Sequence, residues 1–555
     1  MTSATHLARV DPAYQCLKRF GWLIGGLLYG LSFPSHPFAW LGFLAPVALV
    51  PTLLSVIEEE SFGRFFAKTI ASLFIGCSVA IWWVYPTHYL ASVSGGIALA
   101  ICLSLPVLLL FKIRKFAGIT FALLLFPFIW SAWEWLFAFL PFCIPLLFYG
   151  HTQSVHPWLI QYASVTGVWG VSFWLVACNA LAVAAAYGIL IHPGTIKPGH
   201  LRILLLLLAL PPVYSVIVYQ RNDAFSTGPG INILLVQPNR ISQGPTLSNV
   251  GDLGMLVALT SKGISAKPDL IVWPEAAAQH PQFQLADMRD FVSNEVRDWD
   301  VPLLTGTLAV EYTADGPSSN SKKNPAYFNA AMMITPELAS SIGQHRQSEP
   351  KMYLKRKLFP FVEFTPYADT LPFLTWLQLP LTAYRHTFTL GNRPETFMFK
   401  SRAGARISMG TLICFEEFYP NLAAELAQNG AQFIAIIGDE WQFGPEVSHY
   451  FNAMVSGVRA IETGLPMVRN ANNGYLAVTD SQGVTTRIPA QGANATVANI
   501  PAILSGHPAS AATFYVQHQN WFPVSCLLVC AILSSATALR KRRNAVPMSA
   551  ASITP

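Results

Sequence analysis

The sequence predicts a membrane-embedded helical bundle joined to a layered α/β domain, and three features of the chain predict it. Hydrophobic residues make up 52% and charged residues only 12%, a balance unsuited to a water-soluble enzyme and demanded by a bilayer core. The chain has 555 residues, too many for one ordinary domain, and its long apolar runs are confined to its two ends. Between roughly residues 220 and 520 the pattern changes to short apolar strands interleaved with amphipathic helices.

Apolar segments of spanning or near-spanning length fall at about 20–35, 37–56, 69–88, 91–111, 117–140, 160–191 and 201–219, with an eighth at about 521–539. The first is short and broken by glycine, and no small-residue cleavage site follows it, so it does not read as a removable signal. Loop charges set the orientation. With the N-terminus inside, the cytoplasmic loops read "EEESFGRFFAK", "KIRK" (112–115), "HPGTIKPGHLR" and, after the last helix, "RKRR" (540–543). The alternate loops, "SHP", "VYPTHYL" and "PFCIPLLFYGHTQSVHP", carry no Lys or Arg, as the positive-inside rule requires. The expectation is eight spans with both termini cytoplasmic. Residues 1–219 form about seven N-terminal helices, 220–515 a domain outside the cytoplasm, 516–540 the last helix and 541–555 a basic tail. The net charge of +6 is modest and clustered, which argues against general nucleic-acid affinity.

In the outer domain, strands are predicted at 231–238, 269–275, 302–310, 330–336, 407–415, 433–439 and 474–480, and helices at 284–298, 420–429 and 446–463. Continuously apolar strands imply sheets covered by helices. The run "EYTADGPSSNSKKNP" (311–325) reads as a flexible loop. No internal repeat is visible.

Three stretches carry residues suited to chemistry. "LIVWPEAA" puts Glu275 where an apolar strand stops, "YLKRKLFPFVEF" carries Lys355 and Glu363, and "GTLICFEEF" ends a strand on Cys414. Strand ends facing a helix layer are where α/β folds gather ligands. Cys414 is the single cysteine between about 220 and 520, of eight in all, and it has no CxxC or Cys/His partner, so metal and disulfide readings are weak. Glu416 and Glu417 beside it would blunt a thiolate. A lysine that stabilises the thiolate and a carboxylate that takes its proton would restore a nucleophile, and Lys355 and Glu275 are the natural pair. Lys355 and the backbone N–H of Phe415 would then hold an oxyanion, worth ~3–4 kcal/mol per donor. Glu363 would orient the lysine or relay protons.

Plainer readings stand beside these. Taken alone, Cys414 reads equally as an apolar filler. Lys355 within "KRK" reads as a solvated loop or a headgroup contact, and Glu275 as a turn residue. Glu134, inside the fifth apolar run, is functional by default at membrane depth, or else a hydrogen-bond partner for a neighbouring helix. "ANNG" (471–474) reads as a turn, His449 as helix surface without a role, and "RKRR" as a topology anchor.

In order along the chain, these segments resemble the apolipoprotein N-acyltransferases, membrane members of the nitrilase superfamily. "WPE", "YLKRKLFPFVEFTP", "ICFEE" and "RAIETGLPMVRNANNG" (459–474) carry the resemblance, which reaches into the membrane through "GLSFPSHPFAWLGFLAPVALVP" and "TGVWGVSFWLVACNAL". It implies a nitrilase-like α-β-β-α sandwich inserted between the seventh and eighth helices. It also implies a Glu275–Lys355–Cys414 triad, with Glu363, Glu416 and Phe415 in supporting roles and no cofactor or metal. The reaction implied is ping-pong transfer of an acyl chain from a phospholipid, through a Cys414 thioester, to the amine of a diacylglyceryl-cysteine lipoprotein. The implied setting is the bacterial inner membrane, with the domain periplasmic; the oligomeric state is open, and a monomer suffices. Loops over the site, such as 376–396 with Trp376 and Tyr384, would shield the thioester from water.

The chain departs from the family pattern at Val362 (usually Gly), at Phe364 and Phe415 (usually Tyr), and in "IGDEWQFG" (437–444). There Gly438 replaces an asparagine, Glu440 a small residue, and one residue is added. An arginine expected a few residues after Glu134 is missing. These changes bear on substrate binding rather than on the triad. Two alternatives stay open: a membrane-anchored amidase or hydrolase, or an acyltransferase serving a different amine, and a non-catalytic transporter or binding protein.

Overall fold

The computed structural model describes residues 12–545 except 36–37, 86–88, 191–197, 222–229, 240–249, 278–285, 314–323, 343–349, 378–387, 441–445, 490–491 and 502–512. Its N-terminal part is helical: α1 (Pro12–Leu31), an interrupted α2 (Ala39–Val56), α3 (Phe62–Ala80), α4 (Tyr89–Ala117), α5 (Ile119–Phe137), α6 (Val168–Leu190) and α7 (Pro198–Arg221). Among the described residues six stretches are long and apolar enough to cross a membrane, namely Ala39–Val56, Phe62–Ala80, Ser92–Ala117, Ile119–Phe137, Val168–Gly188 and Trp521–Arg542. Ile101, Leu124, Leu528 and Ile532 are each more than half exposed, an outward apolar surface that lipid would cover.

Several boundaries differ from the hydropathy reading. The third helix starts at Phe62 rather than 69: the Ser61 side chain caps it by accepting from the Arg64 N–H, and Arg64 and Lys68 both pair with Glu59, so charge is accommodated in its first turns. The second run is split into a 3₁₀ segment, Ala39–Leu44, and short helices at Ala45–Ala48 and Val50–Val56, with a proline in the first turn of each α segment. Before α6 the chain breaks at Gly167, whose φ of +67° favours glycine.

Among the described residues the second part of the chain contains twelve strands: β1 (Gly230–Gln237), β2 (Leu270–Val272), β3 (Leu303–Thr313), β4 (Asn324–Ile334), β5 (Lys351–Leu354), β6 (Thr396–Lys400), β7 (Arg406–Ile413), β8 (Phe433–Gly438), β9 (Met467–Ala471), β10 (Leu476–Thr479), β11 (Thr485–Ile488) and β12 (Asn494–Pro501). They form two six-stranded sheets, ordered β12-β1-β2-β3-β4-β5 and β11-β10-β9-β8-β7-β6. The central trios β1-β2-β3 and β7-β8-β9 are parallel and the outer pairs antiparallel.

Alternate side chains take opposite faces, and both faces are covered. Ile233 and Leu235 meet Met409, Phe433 and Ala435 between the sheets. Leu234 and Val236 pack instead under α8 (Val250–Gly263) and α9 (Ala286–Trp299). On the other sheet, Ile434 and Ile436 pack under α11 (Pro420–Gln428) and α12 (Glu446–Thr463), while α10 (Pro336–Ile342) completes the first helix layer beside α9. The result is four layers, α-β-β-α. Helix α13 (Trp521–Ala545) follows and runs through the "RKRR" stretch.

The sequence reading missed α8, α10, β5, β6, β9, β11 and β12. The run 311–325, a loop by composition, pairs in register at both ends, Glu311 opposite Ala326 and Thr313 opposite Asn324. A hairpin ladder can hold polar residues that composition assigns to a loop.

The domain rests on one end of the bundle, and the two share a continuous core containing Phe137, Phe148 and Trp169 of the bundle beside Phe415, Phe418 and Tyr419. Polar contacts fix the joint: Tyr419 Oη donates to the Cys143 carbonyl at 3.0 Å, the Val168 N–H to Glu462 at 2.7 Å, and Gln161 Nε2 to the Gln482 carbonyl at 2.9 Å. At the opposite helix ends lie Lys18, Arg64, Lys68, Arg114 and Lys115, paired with Glu58–Glu60, and Lys541, which donates to the Phe116 carbonyl.

Replacing Leu235, fully buried between the sheets, with alanine should cost ~2–5 kcal/mol, while the same change at the lipid-facing Leu124 should leave thermal unfolding in detergent nearly unmoved. Equal loss at both would contradict the layer assignment.

Candidate active site

The chemically suited residues lie at the C-terminal ends of parallel and neighbouring strands. Glu275 follows β2 through Trp273 and Pro274, and the chain then turns at Ala276, whose φ is +58°. Gly306 of β3 makes room for this turn: a Cβ there would lie 2.6 Å from the Glu275 Cα. Lys355 follows β5, its N–H donating to the Asn329 carbonyl at 2.8 Å. Cys414 ends β7 at φ +53°, a left-handed conformation costing ~1–3 kcal/mol for a residue with a Cβ. Two such residues at one strand-end cluster is the pattern expected where geometry is held for a purpose.

These positions converge. Lys355 Nζ donates to Glu363 Oε1 at 2.9 Å and Glu275 Oε1 at 3.1 Å, and all three groups are buried. Asn329 of β4, opposite the ammonium, donates through the same Nδ2 to Glu275 Oε1 at 2.7 Å and Glu363 Oε1 at 2.9 Å. The second oxygens are held by backbone: Glu275 Oε2 accepts from the Asp439 N–H at 2.9 Å and Glu363 Oε2 from the Phe359 N–H at 2.7 Å. Burial alone would lower the Lys355 pKa, but Glu275, Glu363 and the Cys414 sulfur more than offset this and hold it above its ordinary value.

Cys414 keeps some exposure, yet its sulfur senses this cluster. Burial first and Glu275 second push its pKa well above the usual thiol value, with Lys355 opposing. That direction favours the neutral thiol at rest. The expectation of a lysine-stabilised thiolate meets a competing demand here, because the one ammonium is shared by two carboxylates.

Glu416 is a buried clamp between the Cys414 and Lys355 segments, accepting from Tyr353 Oη at 2.8 Å, the Arg356 N–H at 2.6 Å, the Lys357 N–H at 3.1 Å and the Ile413 N–H at 2.9 Å. The Phe415 ring packs edge-on to Phe359, with centroids 4.6 Å apart, and against Phe418 and Tyr419. Glu417, a blunting neighbour in the sequence, instead pairs with Arg469 of β9, which also pairs with Glu440. His449 is buried rather than on the helix surface, its Nε2 3.3 Å from the Glu440 carbonyl. "ANNG" does form the turn between β9 and β10. Trp376 is 90% exposed on a 3₁₀ turn (Pro372–Leu377), whereas Tyr384 lies outside the described residues. Glu134 is far from the cluster in sequence and role: it ties α5 to the following segment by accepting from Trp130 Nε1 and the Tyr149 N–H. Among the described residues no group of three His, Cys, Asp or Glu is arranged for a metal.

Asn329 and Arg469 escaped the sequence reading, although each carries a signal: an amide in the apolar strand "YFNAAMMI" and a charge in the buried strand "PMVRNA".

A four-layer α-β-β-α domain with a cysteine, a lysine and two glutamates at its strand ends defines the class, a carbon–nitrogen-hydrolase-type domain carried on a membrane bundle. Residues 235–496 match the carbon-nitrogen hydrolase family and residues 25–181 the apolipoprotein N-acyltransferase N-terminal domain. An apolipoprotein N-acyltransferase of Chlorobaculum tepidum is 32% identical over 94% of this chain and 96% of its own. Relatives of the same name from Geobacter metallireducens (25% identical; 96% and 98% of the two chains) and Treponema denticola (apolipoprotein N-acyltransferase 1; 27%; 91% and 94%) also match over nearly their whole length. The chain belongs to the apolipoprotein N-acyltransferase family and is a multi-pass membrane protein of the nitrilase superfamily.

Replacing Asn329 with alanine leaves the Oε1 atoms of the two carboxylates with Lys355 as their remaining donor among the described residues. Acylation of Cys414 by an activated ester should slow by about 10–100-fold at pH 7, and Asn329→Asp, adding a third carboxylate, should slow it further. Unchanged rates in both would remove Asn329 from the site.

Proposed function

We propose that this protein moves an acyl chain from a phospholipid to the N-terminal amine of a diacylglyceryl-cysteine lipoprotein through a thioester on Cys414. The observation that carries the reading is the position of Cys414. It packs against both the inter-sheet core and the core shared with the bundle, at the rim of the Lys355–Glu275–Glu363 cluster. A thiol there meets substrates that are themselves anchored in the bilayer.

The cluster supports a general-base route. As the neutral thiol attacks the phospholipid ester carbonyl, Glu275 accepts its proton and a carbon–sulfur bond forms. Lys355 and the Phe415 N–H stabilise the oxyanion. Collapse breaks the carbon–oxygen ester bond, and Glu275 returns the proton to the departing lysophospholipid alkoxide, leaving the thioester. The lipoprotein amine then attacks the thioester carbonyl and gives a proton to Glu275. The amide forms, and the sulfur leaves and recovers that proton. Glu363 keeps the ammonium oriented, and Glu416 locks the Cys414 turn to the Lys355 strand.

Eight spans, with the domain inserted between the seventh and eighth, complete the topology; α1 and α7 are the two helices beyond the six strongly apolar ones. The basic clusters gather at the end remote from the domain, which supports cytoplasmic termini and a periplasmic domain at the inner membrane. Residues 220–515 are the catalytic unit in this reading.

Purified protein given phospholipid should gain one acyl mass on Cys414, and a diacyl lipopeptide should then discharge it onto its own amine. Cys414→Ala should gain nothing, and Lys355→Ala and Glu275→Ala should acylate at least about 10²-fold more slowly. Release of free fatty acid at a rate indifferent to the lipopeptide would instead make water the acceptor and the protein a hydrolase.

A further inference from the structure

The chain directly after β8 holds a buried carboxylate that the reaction above does not use. Glu440, fully buried, pairs through Oε1 with Arg469 of β9 and accepts from Asn452 Nδ2 of α12 at 2.6 Å. Its Oε2 has no hydrogen-bond partner among the described residues. That oxygen occupies the place where a side chain on residue 474 would begin: a Cβ on Gly474 would come within 1.9 Å of it. Burying a carboxylate with one oxygen unpartnered is costly, so a smaller residue would be the cheaper choice for stability alone.

The neighbouring residue shows what the anchor holds. The N–H of Asp439 is the group that donates to Glu275 Oε2 at 2.9 Å. Asp439 is itself braced, its Oδ1 accepting from Asn472 Nδ2 at 3.0 Å, while the Asn472 N–H donates to the Gly438 carbonyl at 2.9 Å. Glu440 thus ties the residue carrying that N–H to a helix on one side and a strand on the other.

We propose that Glu440 is a positioning residue for the general base, its Oε1 anchored by Arg469 and Asn452 so that the Asp439 N–H stays aimed at the Glu275 carboxylate. The inference rests on Glu275 acting as the base. A carboxylate that keeps such a donor is easier to hold charged, and the charged form is the one that accepts the thiol proton. Loss of the anchor should therefore move the acid limb of acylation to higher pH.

The sign separates positioning from simple charge. The titratable and charged groups around Glu275 are Lys355 after β5, Glu363, Cys414 after β7, Asp439 and Glu440 after β8, and, one layer out, Arg469 of β9 with Glu417. Removing the Glu440 charge by itself would ease ionisation of its carboxylate neighbours and move the limb to lower pH. Burial, opposed by Arg469, raises the Glu417 pKa to about 7. Freeing Arg469 wholly for Glu417 would lower the Glu417 pKa.

The test measures the pH dependence of single-turnover acylation of Cys414 in full-length protein. The probe is a phosphatidylethanolamine bearing a fluorescent acyl chain in detergent micelles, and Glu440→Ala, Glu440→Gln and Glu275→Gln are compared with the wild type. The midpoint of the limb does not depend on how much protein is folded, so a poorly folding variant still reports. Glu440→Ala should shift the limb up by about one pH unit and slow acylation about tenfold on its acid side. Glu440→Gln keeps an oxygen for Arg469 and Asn452 but loses the charge, so it should leave the limb at the wild-type position or slightly below it. A limb in Glu440→Ala that stays or moves down, or an equal shift in both variants, overturns the proposal while leaving Glu275 as base. Wild-type acylation in Glu275→Gln would overturn the base assignment and this inference with it.

Discussion

One ammonium shared between two carboxylates governs this structure. Lys355 is buried at 2% exposure, and an isolated charge there would be prohibitive, so Glu275 and Glu363 must be present for it to remain protonated. The two acids in turn need more than one lysine, because together they outnumber it. Asn329 and the N–H groups of Asp439 and Phe359 supply the rest. The left-handed turns at Ala276 and Cys414 fall at the same strand ends.

The balance also decides the form of the nucleophile. Papain-like sites arm a thiol with a nearby cation that holds it as thiolate. Here the cation is already shared by two carboxylates, which favours a protonated thiol, and in the proposed reaction its proton moves during attack. A site of this kind suits a catalyst that must wait: a standing thiolate beside the membrane would be open to oxidation and to stray electrophiles, whereas a neutral thiol acts only when a carbonyl is held against it. In the proposed reaction the shared core of domain and bundle would bring lipid carbonyls to the same place, because Phe415, Phe418 and Tyr419 belong both to the Cys414 turn and to the joint with α5 and α6.

The parts of this arrangement legible in the sequence were those written in local patterns. Apolar strands ending on Glu275 and Cys414, and the motif carrying Lys355 and Glu363, located four members of the cluster, and continuously apolar strands pointed to sheets covered by helices. Asn329 was not legible as a site residue, because its partners lie 54 and 34 residues away and nothing nearby announces them. Glu417 was misread for the same reason: sequence places it beside the thiol as a repelling charge, while folding delivers Arg469 from 52 residues downstream. Helix limits failed where charge or proline overrode hydropathy, as at Arg64 and Lys68 in α3 and at Pro46 and Pro51 in α2. Short strands such as β5 and β11 are too brief to show a period and exist because their neighbours pair with them.

The protonation state of resting Cys414 tests the account most directly. Its alkylation by iodoacetamide, followed by peptide mass spectrometry from pH 5 to 11, reports the thiolate fraction without any lipid present. The balance of charge around Lys355 predicts slow modification at neutral pH, rising beyond the range of an ordinary thiol. A fast, pH-independent plateau below pH 7 would mean that Lys355 holds a thiolate after all, and would contradict the general-base role assigned to Glu275.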